Sequence, residues 1–242
     1  ILQHHFDEYL QYGGFPEGAH LRSKRDYLMS VYQKIYLGDI AARHRIENSF
    51  ALRFLFKKLS ESIMQPMSFT RLTNLITSTG SKISKATVIN YMDYAKEAYL
   101  IFPIKNISSH LSERESNPKY YFVDNGIISL LTLNAESALL ENTVAMELLR
   151  RYGQENQVFF YNEKVEVDFY IPETTTAIQV CLYPHESDET WRRETEALIR
   201  FSKHLPCSQC LLITMNDEET LIVDGVTIQL IPAWKWLIAS PR

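Results

Sequence analysis

The spacing of the apolar residues changes near residue 135, and this change limits the chain to two kinds of module. Before it, apolar residues recur every three or four positions, which is typical of amphipathic helices. After it, residues 165–171 and 176–183 alternate side chains between two faces, as strands do, and helical segments accompany them. We therefore expect an α+β fold in which a helical half precedes an α/β half.

The first 47 residues are predicted to be helical, with a firm break at Gly13-Gly14-Phe15-Pro16. The chain has no initiator Met and no basic region before an apolar stretch, which predicts a fragment or processed chain without a signal peptide. No run of 18 apolar residues occurs, so we expect no membrane partner. Three cysteines without an export signal favour reduced thiols and a cytoplasmic location.

Residues 48–134 are predicted to form a winged helix. Three helices followed by a β-hairpin are typical of that module, and its third helix is the candidate recognition helix. Serines at two of the predicted helix starts can act as N-caps. The segments are a helix from Phe50 to Ile63, helices capped by Ser68 and Ser84, and β-like runs at Leu100–Ile104 and Tyr120–Val123 around a polar loop, Ser108 to Pro118.

The third helix offers four candidate nucleic-acid contacts: Lys82, Lys85, Thr87 and Asn90. Asn can pair with adenine, and Lys with guanine or phosphate. Residues 21–107 carry 14 basic and 6 acidic residues, a net charge of +8, whereas residues 108–242 carry a net charge of −9. A basic middle suits a phosphate backbone. A merely solvated surface and a winged helix that contacts only proteins stay open as alternatives.

The strands after residue 164 carry the candidate chemistry. If the two alternating strands pair antiparallel, Asp168 lies near Gln179 and Cys181, and the preceding helix offers Glu141. Carboxylates suit Mg²⁺, and a metal-bound water can attack a phosphodiester. We therefore name Glu141 and Asp168 as candidate metal ligands and all four residues as the candidate catalytic group.

This candidate site lacks two of the charged groups that an active nuclease site needs. Gln179 is a neutral, poorer ligand, and Cys181 cannot supply the cation that a nuclease needs. Lys164, which we expect on the same strand face as Asp168, is the alternative cation. The plainer interpretations are that Asp168 is a buried carboxylate bound to the backbone and that Glu141 is a charge at a helix N-terminus.

One Cys-x-x-Cys pair, Cys207 and Cys210, stands outside this group. The sequence has no second pair and no His at ligand spacing. The pattern therefore favours packing beside the predicted strand Cys210–Met215 over zinc or redox chemistry.

Seven short motifs follow one another in a fixed order. They are Gly13-Gly14-Phe15-Pro16-Glu17, Lys34-Ile35-Tyr36-Leu37-Gly38-Asp39-Ile40, Ser84-Lys85-Ala86-Thr87, Tyr120-Tyr121-Phe122-Val123-Asp124-Asn125-Gly126, Leu140-Glu141-Asn142, Glu166-Val167-Asp168-Phe169 and Ile178-Gln179-Val180-Cys181. Together they resemble the C-terminal region of prokaryotic AAA-type ATPases that carry a C-terminal domain of unknown function, similar to the PD-(D/E)XK nuclease fold.

The resemblance implies three parts. Residues 1–47 would be a helical remnant of the ATPase lid and its linker, 48–134 the winged helix, and 135–242 a restriction-endonuclease-like α/β domain. The chain has no Gly-x-x-x-x-Gly-Lys-Ser/Thr, so no ATP-binding residue is assigned and ATP is expected only in the full-length protein. The implied partner is the chain's own ATPase domain, with oligomer formation left open.

These observations favour a non-catalytic, nucleic-acid-associated regulatory region of an AAA-type ATPase. Two alternatives stay open. One is an active Mg²⁺-dependent nuclease that uses Glu141 and Asp168. The other is a protein-interaction module that binds no DNA.

Overall fold

The computed structural model describes residues 2–107, 117–153 and 157–239. These residues form a mixed α+β structure that divides into two compact units. The helical unit contains residues 4–103 and 117–135. The sheet unit contains residues 2–3, 104–107, 136–153 and 157–239. The predicted division into three domains stays a prediction.

Helices make up most of the helical unit, and their buried sides are rich in Leu, Ile, Phe and Tyr. A π-helical segment, Lys34–Ala42, continues the second helix, and a 3₁₀ turn, Pro16–His20, follows the first. In chain order the helices are α1 (Leu2–Tyr12), α2 (Lys24–Gln33), α3 (Ser49–Ser60), α4 (Phe69–Thr77), α5 (Lys85–Glu97) and α6 (Asn125–Leu131).

Two predicted helix starts are confirmed by their caps. The Ser68 hydroxyl accepts the backbone N–H of Arg71 at 3.1 Å, and the Ser84 hydroxyl accepts that of Thr87 at 3.0 Å. Each bond satisfies an N–H that has no partner within its own helix. Helix α4 packs against both α3 and α5. The most buried apolar side chains of these three helices are Leu52, Leu55, Phe56, Leu72, Ile76, Val88 and Met92.

Eight strands form one mixed sheet in the order β2-β1-β3-β4-β5-β6-β8-β7. The pairs β3–β4, β4–β5 and β7–β8 are antiparallel, whereas β5–β6 and β6–β8 are parallel. The predicted loop between β1 and β2 falls mostly on residues 108–116, outside the described residues. The strands are β1 (Ile101–Asn106), β2 (Lys119–Phe122), β3 (Phe159–Asn162), β4 (Glu166–Ile171), β5 (Thr176–Val180), β6 (Gln209–Thr214), β7 (Glu219–Val223) and β8 (Val226–Pro232).

Three helices belong to the sheet unit: α7 (Glu136–Tyr152), α8 (Asp188–Ser202) and α9 (Ala233–Ile238). Helix α8 packs against β4, β5 and β8, while α7 packs against β5. The hydrophobic core that α8 shares with the sheet contains Tyr161, Val167, Tyr170, Ala177, Leu198, Ile199, Phe201, Cys210, Leu212, Ile228 and Leu230.

The alternation along β4 does not separate a buried face from a solvent face. Only Glu166 is exposed, and Val167 to Ile171 are all buried. The face that carries Asp168 and Tyr170 is covered because α8 packs on it, and the Tyr170 ring meets the Phe201 ring at 5.0 Å. The polar face of this strand is therefore an interior face, which is where a sheet lies when helices cover it.

Within the described part of the chain, no helix combines the length and the hydropathy that a bilayer-spanning segment needs.

Candidate functional site

Two side-chain-to-backbone hydrogen bonds link Asp168 on β4 with Gln179 and Val180 on β5. The backbone N–H of Asp168 donates to Oε1 of Gln179 at 3.1 Å, and the backbone N–H of Val180 donates to Oδ2 of Asp168 at 3.0 Å. Both side chains are buried, at 7% exposure each. The expected antiparallel pairing that brings Asp168 beside Gln179 is confirmed, and the carboxylate has a backbone N–H partner, the plainer of the two interpretations made from the sequence.

Helix α8 adds a buried carboxylate that the sequence analysis did not single out. Glu194 is 3% exposed, and its Oε1 accepts two bonds from the Arg193 guanidinium at 2.6 and 3.0 Å. Its Oε2 has no hydrogen-bond partner among the residues that the structure describes. Burial raises the pKa of Glu194, while the Arg193 guanidinium and then the Gln179 amide lower it, and Asp168 raises it. Glu194 therefore belongs to the same group as Asp168 and Gln179.

Sequence spacing carried a signal for Glu194. Trp191, Thr195 and Leu198 mark the inward stripe of α8, and Glu194 lies on that stripe three residues after Trp191. An acidic residue at such a position is rare unless a partner or a function retains it.

Cys181 follows β5 and is half-buried beside this group. Burial raises the pKa of its thiol to about 11, with a further increase from the nearby Glu194 carboxylate. The thiol is therefore neutral near pH 7. Cys181 therefore supplies neither a cation nor a thiolate beside Asp168 and Gln179.

Lys164 lies outside strand β4, whereas Glu141 is buried on α7. Lys164 is exposed in the turn between β3 and β4, because β4 begins only at Glu166, so the expectation that Lys164 shares a strand face with Asp168 was wrong. Glu141 is 1% exposed on α7, in the second turn of that helix.

Metal binding at this group finds limited support in the geometry. Among residues 2–107, 117–153 and 157–239, no three His, Cys, Asp or Glu side chains are arranged as ligands of one ion. The assignment of Glu141 and Asp168 as metal ligands stays a prediction.

The N-terminal end of α5 carries the candidate nucleic-acid contacts. Lys82, Lys85 and Asn90 are exposed, whereas Thr87 is half-buried and its hydroxyl contacts the Ser84 hydroxyl at 2.8 Å. An open groove of about 420 Å³ runs along this end of the helix. It is lined by Asn48, Lys82, Ile83, Ser84, Thr87 and Tyr91.

A second cavity in the helical unit lies at the Gly-Gly-Phe-Pro break. It measures about 410 Å³, and four of its lining residues are half-buried aromatics: Tyr9, Tyr12, Phe15 and Tyr27. The Lys24 ammonium lies 5.5 Å from the centre of the Tyr12 ring and forms an ion pair with Glu8 at 3.1 Å.

Comparison with known proteins gives a family and two relatives. The uncharacterized protein MJ1544 of Methanocaldococcus jannaschii is 33% identical over 249 residues, which cover 97% of this chain and 56% of the relative. An uncharacterized protein of Haemophilus influenzae is 28% identical over 236 residues, which cover 95% of this chain and 57% of the relative. The chain thus spans just over half the length of these relatives. No solved structure matches it.

A model of a domain of unknown function, DUF8612, matches residues 3–138. The match covers all of the described helical unit and reaches only the start of α7, so the group around Asp168 lies outside it. Since the match extends over more than half of the sequence, this chain belongs to the DUF8612 family.

Proposed function

We propose that this chain is a non-catalytic, nucleic-acid-associated regulatory region of an AAA-type ATPase, and that its helical unit contacts nucleic acid through the N-terminal end of α5. The observation that carries the proposal is the open groove there, which is lined by Lys82, while Lys85 is exposed in the first turn of the same helix. The order α3, α4, α5, β1, β2 supports a winged helix, in which the third helix enters the major groove.

The charges at this end of α5 suit a polyanion. Neither Lys82 nor Lys85 forms an ion pair with a described residue. By contrast Lys96, at the other end of the same helix, is paired with Asp93 at 2.6 Å. Unpaired ammonium groups release counterions from a phosphate backbone without first losing an internal partner.

The sheet unit supports a non-catalytic role through the groups around Asp168. A nuclease needs a second anionic ligand and a cation on the neighbouring strand, and this chain has neutral Gln179 and neutral Cys181 in those places. Asp168 is engaged by the backbone of Val180. We propose that the unit serves as a scaffold for partners.

The ATPase connection rests on the resemblance of the motifs and on the length of the relatives. Each relative has over two-fifths of its length outside the region that this chain matches, which leaves room for an ATPase domain in those proteins. ATP hydrolysis by a full-length relative, and its loss when the unmatched part is deleted, would support the connection.

The test of nucleic-acid binding is fluorescence anisotropy with duplex DNA, single-stranded DNA and RNA over a series of salt concentrations. We expect the logarithm of the affinity to fall linearly with the logarithm of the salt concentration, because phosphate contacts release counterions. Binding to none of the three polymers at low salt would refute the proposal. It would leave the protein-interaction module as the better description.

A magnesium-dependent nuclease is the second candidate, since Asp168 and Glu194 place two buried carboxyl groups beside Gln179. Calorimetry with Mg²⁺ and Mn²⁺, together with a plasmid-nicking assay, tests it. Binding and nicking that both disappear in Asp168→Ala would establish the nuclease. Nicking that survives this substitution would place the activity elsewhere or in a contaminant.

A further inference from the structure

Cys207 and Cys210 lie at the start of β6 with their sulfur atoms in contact. Their Sγ atoms are 3.4 Å apart, close enough for one thiol to donate a hydrogen bond to the other. Cys207 is half-buried, whereas Cys210 is 4% exposed and belongs to the core of the sheet unit. One sulfur is thus reachable from solvent and the other lies directly behind it.

This contact changes the interpretation of the Cys-x-x-Cys pair. The sequence pattern favoured packing, and Cys210 does pack against the core. Zinc finds no support, because no third His, Cys, Asp or Glu in the described ranges joins the two sulfurs as a ligand. Two thiols in contact can close to a disulfide by exchange with a substrate disulfide.

The surroundings of the pair favour a thiolate on Cys207. The hydrogen bond from Cys210 lowers the pKa of Cys207 to about 7, and nearby backbone N–H groups of Ala177 and Gln209 act in the same direction against burial. The pKa of Cys210 is raised by the same hydrogen bond and by burial. Tyr170 also faces Cys207, but its phenol donates to the Pro206 carbonyl at 2.7 Å, and its pKa is raised.

We propose that Cys207 and Cys210 form a thiol–disulfide exchange site whose substrate is a small, soluble disulfide such as oxidised glutathione. The Cys207 thiolate attacks one sulfur of the substrate, so a mixed disulfide forms and one substrate thiolate leaves. Cys210 then loses its proton to solvent and attacks Sγ of Cys207. The Cys207–Cys210 disulfide forms, the second substrate thiolate leaves, and the two cysteines have given two electrons to the substrate disulfide.

The location of the pair gives this reaction a structural consequence. β6 lies between β5 and β8, and Cys210 is in register with Ala177 on one side and with Ile228 on the other. Oxidation would form a covalent bond between Cys207, in the connection between α8 and β6, and Cys210, in that interior strand. The proposal is independent of nucleic-acid binding, since no residue of α5 takes part.

The test uses the full chain and oxidised glutathione at increasing concentration, with thiol titration and intact-mass measurement. The sequence has three cysteines, so native protein should fall from three titratable thiols to one and lose two hydrogens in mass. Cys181→Ser is the matched control, because its thiol lies outside the pair: this variant should fall from two thiols to none. Reduction by dithiothreitol should restore the count in both.

Two further variants separate exchange from simple modification. Cys210→Ser should stop at the mixed disulfide and gain one glutathione per chain, since Cys207 is still able to attack. Cys207→Ser should react far more slowly, because the remaining sulfur is buried. Circular dichroism confirms that each variant is folded.

Either of two outcomes would overturn the proposal. One is a thiol count that stays at three in folded wild-type protein. The other is a stable glutathione adduct in the wild type, which would mean that Cys210 cannot reach the mixed disulfide.

Discussion

The Asp124 carboxylate accepts the backbone N–H of Gly14 at 2.7 Å, a bond between residues 110 positions apart in the chain. Its other oxygen accepts the N–H of Gly126 at 2.8 Å, which caps α6. Asp124 is 5% exposed. A single buried carboxylate therefore holds the Gly-Gly-Phe-Pro break against the start of α6, and two of the motifs recognised in the sequence meet through it.

Burial gives Asp124 an unusual effect on stability. It raises the pKa to about 6 from an ordinary 3.8, although the two backbone bonds oppose the shift. The folded state binds the proton more tightly, so the contribution of Asp124 to stability is fully present below about pH 4. It declines as pH rises through about 6, by about 3 kcal/mol in all.

Urea denaturation between pH 4 and pH 8 measures this dependence. Asp124→Asn, which cannot ionise, should flatten the curve within that window. The matched variant Asp93→Asn, at a carboxylate that is about half exposed in its ion pair with Lys96, should keep the wild-type slope. Equal slopes in all three proteins would show that Asp124 ionises without penalty.

Gly13 should tolerate alanine much less well than Gly153 does. Both follow the ends of helices with nearly equal φ angles, +77° and +79°, so the cost of a left-handed alanine, roughly 1 kcal/mol, is common to both. A Cβ on Gly13 would also overlap the Asp124 carboxylate, whereas one on Gly153 would meet no described residue within 4 Å.

The expected difference between Gly13→Ala and Gly153→Ala is therefore about 2 kcal/mol or more in the free energy of unfolding. Thermal or urea denaturation of the two variants measures it. Similar losses would mean that Asp124 moves aside without breaking its bond to Gly14.

Lys85→Ala should weaken binding to DNA or RNA at all sequences by a similar factor. It should also reduce the slope of log affinity against log salt by about one, because one phosphate contact is lost. Lys96→Ala removes the same charge from the same helix, at the end where Asp93 already neutralises it, and should leave the slope unchanged. Equal effects of the two variants would indicate attraction by net charge alone.

The helix starts of the helical unit were predictable from the sequence because capping is local. Ser68 and Ser84 act on N–H groups three residues ahead, so the pattern alone identifies them. The π-helical segment Lys34–Ala42 was predicted only as helix, since no local signal marks its wider hydrogen bonding, such as the Arg43 N–H donating to the Gly38 carbonyl.

The candidate site was only partly predictable because burial depends on distant elements. The pairing of Asp168 with Gln179 follows from two adjacent strands and was predicted correctly. The alternation of β4 gave no sign that α8 would cover its polar face. Glu194 was missed for the same reason, because the residues that it lies beside, Asp168 and Gln179, precede it in the sequence by 15 residues or more.

Glu194→Gln should stabilise the protein at alkaline pH. The wild-type carboxylate is buried, and one of its oxygens has no hydrogen-bond partner in the described part of the chain. Burial raises its pKa, so its contribution to stability is lost as pH rises through that raised pKa. A neutral amide avoids the cost of burying the charge and keeps an oxygen for Arg193. We expect a gain of about 1 kcal/mol at pH 8 and a flatter pH dependence.

Glu196→Gln is the matched control on the same helix. The Glu196 side chain is about half exposed and pairs with Arg200 at 2.9 Å, so its loss should cost no more than about 0.5 kcal/mol at any pH. Urea denaturation of both variants at pH 5 and pH 8 makes the comparison. If Glu194→Gln instead destabilises the protein at pH 8, the ion pair between Glu194 and Arg193 outweighs the cost of burying the charge.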